Sequence, residues 1–203
     1  RFRMSNKIRQ TQGLLVVLSA PSGCGKTSVV ERLLIRHQDW MRSVSTTTRS
    51  PRLGEENGTH YHFISKESFE LEKGRDTFLE WAEIYGQYYG TPRQHVIDAV
   101  DSGKVMILTI DVQGTKQIKE SWGTERPMIS VFLLPPSVKA LRERLTNRNT
   151  ETPEEIERRI MIAQDEIKAA TLYEKTVINQ NLDQAVLEVE SIILNELTKR
   201  SKK

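Results

Sequence analysis

The sequence has one cysteine, Cys24, and its longest apolar run is Leu14–Leu18. A lone thiol excludes an internal disulfide and fits a reducing cytoplasm rather than a disulfide scaffold. The apolar run falls far short of the roughly 20 residues that span a bilayer, so no membrane partner is expected. The opening "RFRMSNKIRQ" is basic and polar and holds no apolar segment of signal-peptide length. Met4 reads as the native start, which sets Arg1–Arg3 apart from the fold. His37, His60, His62 and His95 stand in no metal-ligand spacing with one another or with Cys24, so no zinc site is expected.

Positive charge is also scarce where it would matter. The 203 residues carry a formal net charge of +3. Eight basic residues sit in the first ten and last five positions, and the body between them holds 22 basic against 27 acidic residues. An acidic body offers no basic face to a polyanion, and nucleic acid is not expected as a partner. Apolar residues at 37% and charged residues at 28% describe a globular chain long enough for one sizeable core. Composition leaves the oligomeric state open between monomer and homodimer.

Strand-like apolar runs alternate with amphipathic stretches along most of the chain. Strands are expected at 13–20, 104–111, 128–135 and 175–179, and helices at 27–37, from about Val112, at 137–145, 152–172 and 182–197. Ser137 and Thr152 are the expected caps, with Pro153 in a first turn rich in acids. Continuous apolar strands separated by helices imply an α/β fold of three layers, with a central parallel sheet covered on both faces. Residues 45–92 break this rhythm with turn residues, aromatics and short strands. The expected organisation is one domain over 5–203, with a core of 5–44 and 93–203, an inserted lobe at about 45–92, and a lid at about 146–158.

Two motifs carry chemistry. "APSGCGKTS", Ala20 to Ser28, follows an apolar strand and opens a helix. Pro21, Ser22, Gly23, Cys24 and Gly25 form a loop whose backbone N–H groups can converge on nucleotide phosphates, with Lys26 reaching the terminal ones and Thr27 placing a hydroxyl on Mg²⁺. Ala20 stands where the strict P-loop pattern has glycine. Cys24, near a helix start, is a candidate for a favoured thiolate, against the plainer reading of a small residue in a tight loop. The second motif, "VSTTTRSPRLGEENGTHYHF" at 44–63, sets Arg49 and Arg52 around a proline as a fork for a second phosphate, with Tyr61 as a further donor. A motor or switch needs no second clamp, whereas a kinase for a phosphorylated small molecule does.

With these segments, "FLEWAEIYGQYYGT", "IDVQG" and "LRERLTNRNTETPEEIERRI", the chain resembles the guanylate kinase family from about Gly13 to Glu196. The resemblance implies phosphoryl transfer from ATP to GMP, giving ADP and GDP. It implies a GMP site in which Arg49, Arg52, Tyr61 and Tyr89 hold the phosphate, Ser45, Glu80 and Asp111 read guanine with Thr91 assisting, and Glu55 belongs to the set. It further implies that Arg144, Arg148 and Arg159 close over the ATP phosphates with Lys26, and that Asn179 lies near adenine. The family usually has an acid two residues before Asp111. Here that position is Thr109, expected on the same side of the strand as Asp111. Two other readings remain open: a phosphopeptide-binding module of the same shape without ATP chemistry, and a P-loop kinase for another phosphorylated acceptor.

Overall fold

The computed structural model describes residues 13–84, 86–124, 126–147 and 152–201. In chain order the elements are β1 (Leu14–Ser19), α1 (Lys26–Arg36), β2 (Met41–Arg42), β3 (Thr46–Thr47), β4 (His62–Phe63), α2 (Lys66–Gly74), β5 (Phe78–Ile84) and β6 (Gln87–Pro92). They continue with α3 (Arg93–Asp101), β7 (Val105–Thr109), α4 (Val112–Ser121), β8 (Met128–Leu134), α5 (Val138–Thr146), α6 (Pro153–Lys168), β9 (Lys175–Ile178) and α7 (Leu182–Ser201).

Every residue of β1 is buried, as an unbroken apolar run requires of a strand covered on both faces. Its neighbours are all parallel, in the order β2-β7-β1-β8-β9. The pleat sends alternate residues to opposite layers. Leu14, Val16 and Leu18 join Val29, Val30 and Leu33 of α1 with apolar residues of α5, α6 and α7. Leu15 and Val17 face Val96 and Val100 of α3 and Ile118 of α4. The expected three-layer α/β architecture with a parallel sheet is therefore present.

The helix starts follow the local chemistry. Ser137 caps α5, and Thr152 and Glu155 form a reciprocal capping box on α6 with Pro153 at its first turn. The helix expected at 152–172 ends earlier, at Lys168, and tightens into a 3-10 turn over Ala169–Leu172. Of the stretch expected as a lid at 146–158, residues 153–158 are the opening turns of α6.

The insertion builds a second sheet in the order β4-β3-β6-β5. Its strands β5 and β6 form an antiparallel hairpin of seven and six residues, longer than the short strands expected there. Phe69 of α2 stacks on Phe78 and Tyr88 behind it. Two elements are absent from the sequence expectations: α3, and the two-residue edge strand β2. Among the described residues, no helix is long and apolar enough to cross a membrane.

Candidate active site

At the end of β1 the chain turns through Ala20–Gly25 into α1. Gly23 (φ 87°) and Gly25 (φ 81°) hold left-handed backbone, where a side chain would be strained. A Cβ on Gly25 would also come within 2.7 Å of Asn179 Nδ2. Ala20 is not left-handed, so its departure from glycine costs no backbone strain. Gly25 is the N-cap of α1 and has no side chain to close it, which leaves the first N–H groups of an 11-residue helix open to an anion.

Lys26 starts that helix. Desolvation pulls its pKa below the usual lysine value, against the opposing pull of Glu166 and Asp111. Thr27 and Ser28 are exposed at the same helix start. Cys24 lies on the other side of the balance: it is fully buried, and burial pushes its thiol up to about 12. This burial fits the plainer reading of Cys24 as a small residue in a tight loop, because desolvation outweighs the nearby Arg144 and Lys26 charges that would favour a thiolate.

Residues of three further segments gather around this loop. Arg144 of α5 donates to the Asn179 carbonyl at 2.7 Å, and Asn179 donates its Nδ2 to Cys24 O at 2.8 Å. Both residues line a cavity of about 410 Å³ with Gly23, Gly25 and Ser28. Asn179 thus commits its amide nitrogen to the loop. Arg159 of α6 donates to Ser22 Oγ at 2.9 Å. Arg148 lies outside the described residues.

In the inserted lobe, Glu55 holds Arg49 Nη2 at 2.8 Å and the backbone N–H of Arg52 at 2.7 Å. These contacts, the Arg49 one first, bring the Glu55 carboxyl down to about 2. The Arg49 guanidinium lies over the Tyr61 and Phe63 rings, and Tyr61 meets Tyr89 edge-on. Arg52 is exposed and meets Glu55 through its backbone, so the structure does not join the two guanidiniums into the expected fork.

Glu80 of β5 is 6% exposed and accepts from Thr91 Oγ1 at 2.5 Å. Burial is the main reason its carboxyl rises to about 7, the Thr91 bond opposing and the Asp111 charge adding to the rise. Asp111 is not on a strand, since β7 stops at Thr109. It is the N-cap of α4 and accepts from Gly114 N at 2.8 Å, so the shared face expected for positions 109 and 111 does not arise.

Gly114 was invisible to motif reading except as the end of "IDVQG". A Cβ there would sit 2.5 Å from Glu80 Oε2 and 3.4 Å from Asp111 Oδ1, so the glycine is what lets the two carboxylates approach. Gln117 then locks α4 to β5 by exchanging two hydrogen bonds with the Trp81 backbone. The i, i+3, i+6 spacing of Asp111, Gly114 and Gln117 along α4 is the signal that could have found both.

One groove of about 800 Å³ runs between the halves. Thr27 and Thr109 line it from the phosphate-loop side, and Ser45, Glu55 and Tyr61 from the inserted lobe. Thr27 and Thr109 supply neutral hydroxyl oxygens, which suit a hard cation that arrives already bound to phosphate. No group of three or more His, Cys, Asp or Glu poised to hold a metal occurs among the described residues.

The guanylate kinase family model matches residues 12–196. The chain is 44% identical over 194 residues to a guanylate kinase of Clostridium perfringens, covering 95% of this chain and 88% of that protein. A guanylate kinase of Synechocystis sp. is 44% identical over 185 residues, covering 91% of this chain and 95% of the relative. The crystal structure of guanylate kinase from Anaplasma phagocytophilum superposes with a TM-score of 0.75 at 30% identity, covering 92% of this chain and 87% of that one.

Proposed function

This chain belongs to the guanylate kinase family, phosphotransferases that carry the γ-phosphoryl group of ATP to GMP, and from that premise we propose how its residues divide the work. The observation that carries the reading is the shared groove, in which the phosphate-loop Thr27 and the lobe residues Ser45, Glu55 and Tyr61 line one space. Transfer needs no covalent intermediate and no general base, because a phosphate oxygen of the acceptor is already a nucleophile. It needs in-line placement and neutralised charge.

On the donor side, the Ala20–Ser28 loop and the open start of α1 receive the ATP phosphates. Lys26, Arg144, Arg148 and Arg159 supply the positive charge, and the cavity beside Asn179 takes the base. Thr27 would hold Mg²⁺, which offsets charge on the β- and γ-phosphates when bound. On the acceptor side, the GMP phosphate replaces Glu55 at Arg49, with Arg52, Tyr61 and Tyr89 as further donors. Ser45, Thr91, Glu80 and Asp111 meet the guanine edge, whose N1–H and N2–H₂ donors suit paired carboxylates. The inserted 45–92 segment is the GMP lobe of a single domain. The cytoplasm, where both nucleotides are abundant, is its place of work.

Assay of ATP with GMP, AMP, UMP or CMP in turn tests this division. GMP is expected to exceed AMP in kcat/KM by about 10⁴, because adenine leaves the buried Glu80 without its partner donors. No turnover with any acceptor would favour the binding module, and preference for another acceptor would favour a different kinase. The same assay carries a pH signature. Glu80 is raised to about 7 in the free protein, so below that pH it is protonated and must release its proton before guanine N–H groups can donate to it. GMP affinity is therefore expected to fall as pH drops below 7, approaching tenfold per unit, and to level off above it. The GMP phosphate titrates near pH 6, so Glu80→Gln is the control. It is expected to lose the dependence between pH 6.5 and 7.5 while ATP affinity stays flat.

A further inference from the structure

Three buried hydroxyls outside the motifs, those of Ser19, Thr115 and Tyr173, meet where β1, α4 and the stretch before β9 come together. Ser19 is the last residue of β1, and its hydroxyl donates to Ile110 O at 2.7 Å. Thr115 Oγ1 donates to Asp111 O at 2.8 Å and stands 3.1 Å from Ser19 Oγ. A threonine inside a helix often returns its hydroxyl to the carbonyl four residues back. Here that hydroxyl also accepts from Tyr173 Oη, at 2.9 Å and 58 residues further along the chain. Tyr173 is itself held in place: its ring lies 4.8 Å from that of Phe132 in β8, and the next residue, Glu174, exchanges two hydrogen bonds with Ser130 of the same strand.

The two carbonyls so held belong to one step of the chain. The register of β7 with β1 ends at the pair Leu18 and Thr109, so Ile110 and Asp111 lie past it, where the chain leaves the sheet for α4. Ser19 stands directly before Ala20, where the phosphate loop begins. The bonds therefore tie the foot of that loop to the residue whose carboxylate caps α4 and shares the space about Gly114 with Glu80. A buried network of hydroxyls with its bonds made fixes the arrangement of the segments it joins.

We infer that Thr115 and Tyr173 are positioning residues for guanine recognition, fixing the Ile110–Asp111 step against the foot of the phosphate loop so that the Asp111 carboxylate meets the acceptor base in register with the phosphoryl donor. This rests on the reading of Asp111 as a residue that meets guanine. It adds that the spacing of the two nucleotide sites is set by buried polar contacts, and that Tyr173 takes part through Thr115 without touching either nucleotide.

The double variant Thr115→Val, Tyr173→Phe is the direct test. It removes both partners of the long-range bond and keeps their shape, a replacement that can be nearly neutral for folding. Asp111 O still keeps the Thr115 backbone N–H. Displacing a group that contacts substrate by about 1 Å can cost about 10²-fold, and a loosened step is expected to show part of that, as a KM for GMP raised about tenfold. The KM for ATP is expected to stay within twofold of wild type and the melting temperature close to it. Thr115→Ser, which returns the hydroxyl, is expected to keep the KM for GMP within twofold of wild type. A folded double variant with the wild-type KM for GMP overturns the inference, and so does an equal rise for both nucleotides, which would make the network a support of the fold alone. Should the double variant fail to fold, Tyr173→Phe, which leaves Thr115 bound to Asp111, is judged in the same way, with a rise of about threefold expected. Asp111→Asn, run alongside, keeps the two levels apart. If it raises the KM for GMP and the double variant does not, this inference alone fails; if it leaves that KM at the wild-type value, the reading of Asp111 fails and the inference falls with it.

Discussion

Arg49→Ala is expected to lower kcat/KM for GMP by about 10³-fold while leaving ATP affinity within twofold of wild type. The size follows from what Arg49 does. It is a charge-assisted donor set among Tyr61, Phe63 and Glu55, with 16% of its side chain exposed, where a guanidinium acts at lower dielectric than in water. Removing one partner of a hydrogen-bonded charge pair costs roughly 2–5 kcal/mol, and the upper half of that range is a loss of about 10³. Truncation also leaves the Glu55 carboxylate without its main cation, now repelling the incoming phosphate. Arg49→Lys keeps the charge but not the planar fork, so it should recover a small part. Steady-state kinetics with each substrate varied, together with ATP calorimetry, decides the matter. Equal loss toward both nucleotides would make Arg49 a support of the lobe instead.

Lys26→Met is expected to lower kcat by about 10³-fold or more, with GMP affinity unchanged. Catalysis of phosphoryl transfer is positioning plus charge neutralisation, and single fixed cations in related systems are worth about 10³–10⁵. Methionine fills the stem of the lysine without its charge, so the loop is expected to keep its fold. Lys26 is desolvated in the free protein, and its loss removes positive charge from the place where the ATP phosphates are proposed to bind. ATP affinity should fall as well, though by less than kcat, which is the pattern of a group used most strongly in the transition state. A variant that melts with wild type yet turns over at wild-type rate would remove Lys26 from the mechanism.

Much of this architecture could be read before the structure, and the divisions follow physical lines. The run Leu14–Leu18 announced a buried parallel strand because only a strand covered on both faces is apolar throughout. Ser137, Thr152 and Pro153 announced helix starts because capping is local chemistry. The helix α3 escaped notice because its opening "RQH" lacks a capping side chain and it follows directly on β6. Asp111 was placed on a strand because hydrophobicity runs on through Ile110, while the backbone leaves the sheet at Thr109 to start α4.

The site residues divide in the same way. Lys26, Thr27 and Arg49 sit in short motifs that carry their own context. Gly114 does not: it matters for what another element brings beside it, the Glu80 carboxylate of β5. Cys24 at a helix start left a favoured thiolate open beside the plainer reading of a small residue in a tight loop, and burial beneath the loop, which raises its thiol to about 12, fits the plainer one. Helix position is legible in one dimension, whereas desolvation belongs to the folded chain.

The claim beneath all of this is that the glycine loop and the arginine-bearing lobe hold two nucleotides at once, near enough for one phosphoryl group to pass between them. Inhibition by adenosine and guanosine joined through five phosphates tests it most directly. A molecule that fills both sites is expected to compete with ATP and with GMP alike, and to bind far more tightly than either because the second contact is intramolecular. Competition with one nucleotide and indifference to the other would contradict the account.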